Sequence, residues 1–217
     1  MKRYSYLFFD LDGTITDSAP GIINSIAYAF EKMGIAYSSK VDLRRYVGPP
    51  LVEAFMEDLA MSEARARETV AAFREYFADR GIFENAVYDH IPAALEALCA
   101  AGYTLVLATS KPEHFAKQIL SHFDILKYFS FVGGSAPDES ARASKPEVIR
   151  YCMSALGGVA PQDCVMIGDR KYDCLGAAKL GMDCVGVTYG YGSIDELSLA
   201  GTTYIVHSVD ELTKLFL

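Results

Sequence analysis

The chain has 217 residues, a formal net charge of −8, and 51% hydrophobic against 22% charged residues. That length suits one domain, or one domain carrying an insertion, with a full core that needs no disulfide or structural metal. The acid excess argues against nucleic acid polymers and anionic membranes as partners, since both need a basic face, and the longest uncharged stretch, Ala97–Ser110, is too short to span a bilayer.

In chain order, the opening MKRYSYLFFDLD reaches Asp10 too soon for a signal peptide. Its apolar run, Tyr4–Asp10, reads as a strand. From about Pro20 to Gly81 no strand is visible. Ile22, Ile26, Phe30 and Met33 recur at helical spacing, as do Leu51, Phe55 and Leu59, and later Val70, Phe73 and Phe77. This predicts a helical insert over 16–81. Beyond it, strand-like runs at Tyr103–Ser110, Tyr128–Gly134, Cys164–Asp169, Asp183–Gly190 and Thr202–Ser208 alternate with helical patterns. The helices are expected at Ile91–Ala101, Pro112–Phe123, Lys145–Leu156, Lys171–Leu180 and Val209–Phe216. Strands that are apolar throughout suit a parallel sheet buried on both faces. The expected fold class is therefore α/β, a Rossmann-like parallel sheet core formed by 1–15 and 82–217. The five cysteines form no C-x-x-C pair and read as small buried hydrophobes of a reducing compartment. With no signal peptide, this makes a cytoplasmic location the expectation.

Ligands of an open parallel sheet bind at the carboxyl ends of its strands. The first strand ends in Asp10-Leu11-Asp12-Gly13-Thr14, the second in Thr109-Ser110-Lys111, the fourth in Gly168-Asp169-Arg170-Lys171-Tyr172-Asp173, and Ser144-Lys145-Pro146 opens a helix between them. Four carboxylates, a hydroxyl and an ammonium would meet at one rim. Converging carboxylates repel and raise each other's pKa. A hard cation resolves this, and a few carboxylates with waters and a phosphate oxygen are the usual Mg²⁺ set. Lys145 adds a fixed positive charge and Thr109 a donor, while N–H groups of the Leu11–Thr14 turn can form an anion nest. The set suits phosphoryl transfer, which needs mainly positioning and charge neutralisation. Lys111 competes with Lys145 for the lysine role, with Lys145 preferred.

These residues resemble the motifs of the haloacid dehalogenase-like superfamily of phosphohydrolases. DLDGT at Asp10–Thr14, LATSK at Leu107–Lys111, Lys145, and GDRKYD at Gly168–Asp173 follow the family's order. The likeness covers essentially the whole chain, and it is nearest to the phosphoglycolate phosphatase-like and bacterial 5′-nucleotidase-like branch with a helical cap. The resemblance implies an Mg²⁺-dependent phosphomonoesterase acting on a small phosphorylated metabolite, a nucleoside 5′-monophosphate or 2-phosphoglycolate. It implies Asp10 as nucleophile and Asp12 as general acid and base. Asp10, the Asp12 backbone carbonyl, Asp169 and Asp173 would hold the metal, and Thr109, Ser110, Gly13 and Lys145 the phosphate. It further implies that the insert is a cap closing over the site, whose loop around Arg45, Gly48, Pro49 and Pro50 helps select substrate. Relatives that move phosphate within a sugar tend to carry an arginine in that loop; here Leu51 stands nearby. A mutase and a phospho-accepting signalling module are the alternatives, but a signalling module needs neither Asp12 nor a cap. A metal-free dehalogenase lacks Asp12, and no G-x-G-x-x-G follows the first strand for a nicotinamide. A monomer is the simpler expectation, with no oligomeric interface legible.

Overall fold

The computed structural model describes residues 4–136, 141–142 and 144–217. The basic pair Lys2 and Arg3 of the opening lies outside them. The chain divides into two compact units, Met1–Thr16 with Val87–Leu217, and Asp17–Ala86.

Strand β1 (Tyr6–Phe9) leads into the two-residue β2 (Thr16–Asp17). The inserted unit then contains α1 (Ala19–Met33), a 3₁₀ turn at Lys40–Tyr46, α2 (Leu51–Leu59), α3 (Glu63–Tyr76) and a π turn at Phe77–Gly81. The chain returns through β3 (Ala86–Val87) to α4 (Ile91–Ala100), β4 (Thr104–Pro112), α5 (Glu113–His122), β5 (Phe129–Ser135) and α6 (Lys145–Ala155). It closes with β6 (Cys164–Gly168), α7 (Lys171–Ala178), β7 (Asp183–Val187), α8 (Ile194–Leu199), β8 (Tyr204–Val206) and α9 (Val209–Phe216). Helix α8 falls where the sequence reads only a link. Six residues are too few for a clear apolar period, but Ser193 caps the helix by accepting the Glu196 N–H at 3.1 Å.

The inserted unit is held by an aromatic cluster. Phe30, Tyr46 and Phe55 are each at most 1% exposed, with ring centroids 5.2–6.2 Å apart. Phe30 and Phe55 come from the apolar stripes of α1 and α2, and Tyr46 of the 3₁₀ turn packs between them.

The other unit is an all-parallel sheet of order β5-β4-β1-β6-β7-β8, an α/β layer fold. β1 lies at its centre, with Tyr6 opposite Thr104 on one side and Cys164 on the other. Phe8, Val106 and Met166 are fully buried in a core that includes Val148 and Ile149 of α6 and Cys174 of α7. Burial on both faces is why these strands read as continuous apolar runs. The chain winds one way from β1 through β4 to β5, then the other way through β6, β7 and β8. This reversal opens a crevice at the carboxyl end of β1, the topological switch point of such sheets. Within the β4–β5 ladder, Ala108 faces Gly133 but Pro112 faces Ser135, so the segment between is bulged. Thr109, Ser110 and Lys111 thereby leave the ladder at the crevice.

Candidate active site

Asp10 leaves β1 with its N–H donating to the Ile167 carbonyl at 2.9 Å, which ties the ends of β1 and β6 together. The following turn closes on one acceptor: the N–H groups of Thr14, Ile15 and Thr16 all point to the Leu11 carbonyl, at 3.2, 2.9 and 3.0 Å. Gly13 donates to Thr16 O at 2.8 Å. The Gly13 and Thr14 N–H groups, two of the four in the Leu11–Thr14 nest read from the sequence, therefore serve the turn itself. Gly13 has another reason to be glycine. Its φ is +83°, and a Cβ there would lie 2.2 Å from Asp169 Oδ2.

Three carboxylates converge. Asp10, Asp169 and Asp173 each present an oxygen within 4.8 Å of the others. Asp169 is fully buried; Thr14 Oγ1 donates to its Oδ1 at 3.3 Å and the Tyr191 N–H to its Oδ2 at 2.8 Å. Asp173 is 1% exposed and caps α7, accepting the Arg170 N–H at 3.2 Å. Lys145, 5% exposed, reaches into the cluster from the first turn of α6. Its Nζ lies 2.9 Å from Asp10 Oδ1 and 2.8 Å from Asp173 Oδ1, and donates to the Ala108 carbonyl at 3.0 Å.

The electrostatics are one-sided. Burial pushes the Asp169 carboxyl well above the usual range, and Asp173 and Asp10 push it further, against the Tyr191 N–H and Arg170. Burial also raises Asp173, to about 6, even though Lys145 opposes it. Burial works to lower the Lys145 pKa, but Asp10 and Asp173 outweigh it and the ammonium is held above its ordinary value. With all three carboxylates ionised, one ammonium would leave two negative charges uncompensated. Asp10 Oδ1 and Asp173 Oδ1 are buried and accept no hydrogen bond of proper geometry, although Lys145 is at ion-pair distance from both. Oxygen donors, two orphaned acceptors and a double charge deficit fit a hard divalent cation.

Asp12 stands apart from this cluster. Lys111 Nζ donates to both of its carboxylate oxygens, at 2.8 and 2.7 Å, and the side chains are 6% and 13% exposed. The sequence sets Lys111 against Lys145 as rivals; the structure gives each lysine its own carboxylate partners. Thr109 is 1% exposed, and its Oγ1 accepts the Lys111 N–H at 3.3 Å, which leaves its hydroxyl proton to donate. Ser110 is half-buried beside it.

The loop after β7 carries contacts that the sequence does not announce. Tyr189 is half-buried and donates its hydroxyl to Thr14 O at 3.0 Å. Gly190 passes so close that a Cβ would lie 2.2 Å from Gly13 O and 2.4 Å from Asp169 Cβ. The alternating glycines of Tyr189-Gly190-Tyr191-Gly192 are the only signal of this approach. Arg170, inside the fourth motif, turns to Glu196 instead, with Nε donating at 2.9 Å.

Arg45, Gly48, Pro49 and Pro50 belong to the inserted unit. Arg45 lies in the last turn of the 3₁₀ segment and is engaged within that unit: Nη2 donates to the Tyr46 hydroxyl at 2.9 Å and Nε lies 3.2 Å from Asp58 Oδ2. Gly48 is exposed and the two prolines half-buried before α2. No helix among the described residues is long and apolar enough to cross a membrane.

Comparison with known proteins gives a consistent picture. The chain is 45% identical to a 5′-nucleotidase of Pseudomonas aeruginosa over 90% of this chain and 87% of that protein. It is 38% identical to the tyrosine-protein kinase PtkA of Mycobacterium tuberculosis over 96% of this chain and 71% of that one. The crystal structure of a predicted phosphatase from Clostridium acetobutylicum superposes with a TM-score of 0.95 at 47% identity, covering 98% of each chain. The family model described as haloacid dehalogenase-like hydrolase matches residues 7–187. By that match and these identities, the chain belongs to the haloacid dehalogenase-like hydrolase family.

Proposed function

We propose that the protein is an Mg²⁺-dependent phosphomonoesterase that hydrolyses a small phosphorylated metabolite, foremost a nucleoside 5′-monophosphate, through an aspartyl-phosphate. The observation that carries this is the separation of two carboxylate environments at one sheet edge. Asp10 sits in a cluster short of positive charge, while Asp12 is held in a balanced pair by Lys111. Environments that differ in this way can divide nucleophile from acid–base duty. The likeness to a 5′-nucleotidase favours the nucleotide over 2-phosphoglycolate as first substrate.

In this reading an oxygen of Asp10 attacks phosphorus and forms a P–O bond as the ester P–O bond breaks. Asp12, protonated on one oxygen while Lys111 keeps the other, gives that proton to the departing oxygen. Water then attacks phosphorus, Asp12 takes the water's proton, and the Asp10–phosphorus bond breaks to release phosphate. Lys145 balances charge on the phosphoryl oxygens and Thr109 donates to one of them. Asp10, Asp169, Asp173 and the Asp12 carbonyl would hold Mg²⁺, which neutralises phosphate charge when bound.

The test is phosphate release by purified protein from an aryl phosphate, nucleoside 5′-monophosphates and 2-phosphoglycolate, with Mg²⁺ and with EDTA. Turnover on at least one monoester that stops with EDTA is expected; none on any ester would overturn the reading. The likeness to PtkA favours a second reading, transfer to a tyrosine hydroxyl instead of water. Its signature is radiolabel from the γ-phosphate of ATP appearing on tyrosine, with no phosphate released from monoesters.

A further inference from the structure

Three of the five cysteines direct their sulfur to a backbone carbonyl: Cys99 to Tyr128 O at 3.5 Å, Cys152 to Leu107 O at 3.5 Å and Cys164 to Ala160 O at 3.2 Å. The other two face each other. Cys174 Sγ, in α7, lies 2.7 Å from Cys184 Sγ, in β7, and the residues are 1% and 3% exposed. Thr202 Oγ1 also lies 3.2 Å from Cys174 Sγ. The two sulfurs therefore need to approach by only roughly 0.7 Å to reach the ~2.05 Å of a disulfide bond. Both already sit on regular elements packed in the same core cluster. Cys174 also directly follows Asp173, the residue that caps α7 and meets Lys145.

We propose that Cys174 and Cys184 are a reversible oxidation site: a peroxide converts the facing thiols to a disulfide, and this lowers turnover by displacing Asp173. In the first step one thiol sulfur attacks a peroxide oxygen, the O–O bond breaks, and a sulfenic acid and one water result. In the second step the other thiol sulfur attacks that sulfur, the S–S bond forms, and the hydroxyl leaves as a second water. Two thiols are oxidised and one peroxide is reduced. Because both sulfurs are buried, a water-sized oxidant is the chemical class that reaches them, through local opening of the core. Bulky aromatic disulfides are expected to meet Cys99 first, since it is the one cysteine of the five that is not buried. A shift of Asp173 by a fraction of an ångström suffices for a roughly ten-fold loss of rate.

The bond itself does not depend on the phosphatase reading; the effect on turnover does. The two are separable because mass reads the first and phosphate release the second. The Mg²⁺-loaded full-length protein is treated with hydrogen peroxide, quenched, and followed by intact mass, peptide mapping and phosphate release. Expected are the loss of two hydrogens, a peptide joining Cys174 to Cys184, a fall in activity at the same rate, and recovery of all three on adding dithiothreitol. Cys184→Ala and, separately, Cys174→Ala should keep basal activity and form no such bond. A wild-type protein that oxidises Cys99 while 174 and 184 stay thiols would overturn the proposal. So would a disulfide whose formation leaves turnover unchanged. If either variant fails to fold, the peptide map of the wild-type protein still decides.

Discussion

Lys145 and Lys111 end on carboxylates at the same edge of the same sheet, yet they do different things. Lys145 faces two carboxylates directly, with a third within their reach, and cannot balance them. Lys111 faces one, and grips both of its oxygens. A buried charge cluster left unbalanced is costly and marks a place where ions are to be bound, whereas a one-to-one bidentate pair is complete and marks a place where a side chain is to be held. Residue type alone does not separate the two cases, because both are lysines at a helix start, Lys111 in the last residues of β4 before α5 and Lys145 as the first residue of α6.

The most severe test of this contrast is Asp10→Asn. If Asp10 is the nucleophile, turnover in the phosphate-release assay should fall by at least ~10³-fold; retention of full activity would remove the covalent route. Next come the two lysines. Lys145→Met should lower kcat by roughly 10²–10³-fold, as loss of a preorganised charge does. Lys111→Met should cost about 10–10²-fold, mainly in kcat, because it loosens the orientation of Asp12. Equal losses in both variants, read as kcat and KM from initial rates, would erase the distinction.

A smaller effect reads the charge deficit without any catalysis. The folded pKa of Asp173 is raised above its unfolded value, so over the window from about 3.8 to about 6 the folded state holds the proton and the unfolded state releases it. Stability contributed by the protonated form is present below that window and lost as pH rises through it. In EDTA, Asp173→Asn should therefore raise Tm at pH 7.5 relative to the wild type, and the gain should shrink below pH 5. A lowered Tm at pH 7.5 would mean that Lys145 already balances the cluster. The smallest effect is expected at Arg45. Its partners Asp58 and Tyr46 lie in its own unit, and the arginine and aspartate side chains are 56% and 41% exposed. Arg45→Ala should change the unfolding free energy by no more than ~1 kcal/mol in urea titration, and KM by less than about three-fold.

Much of this was open to reading in the residues. Asp10, Asp12, Asp169 and Asp173 stand at the ends of apolar runs, and strand ends at a switch point are where a sheet places its chemistry. Helices α1, α2 and α3 carry the apolar period of 3.6 that the sequence shows there. What stayed hidden depends on three-dimensional approach instead of residue type. The partnership of Lys111 with Asp12 spans ninety-nine positions and needs the bulge in β4 to bring it about. The Tyr191 N–H that reaches Asp169 is a backbone group, so any residue but proline would supply it. The Gly13 N–H looked available for an anion because a sequence does not show which carbonyl a turn folds onto. α8 was too short to leave a periodic trace.

The central place of β1 has a consequence for how the molecule is made. Within this chain β1 is made before either of its partners, Thr104 on one side and Cys164 on the other. At about 5–20 residues per second, its second edge waits roughly 8–30 s for a partner to be synthesised. During that interval the run Leu7-Phe8-Phe9, destined to be almost completely buried, has nothing of its own sheet to cover both its sides. The carboxylates of Asp10 and Asp169 likewise come together only once β6 has been made.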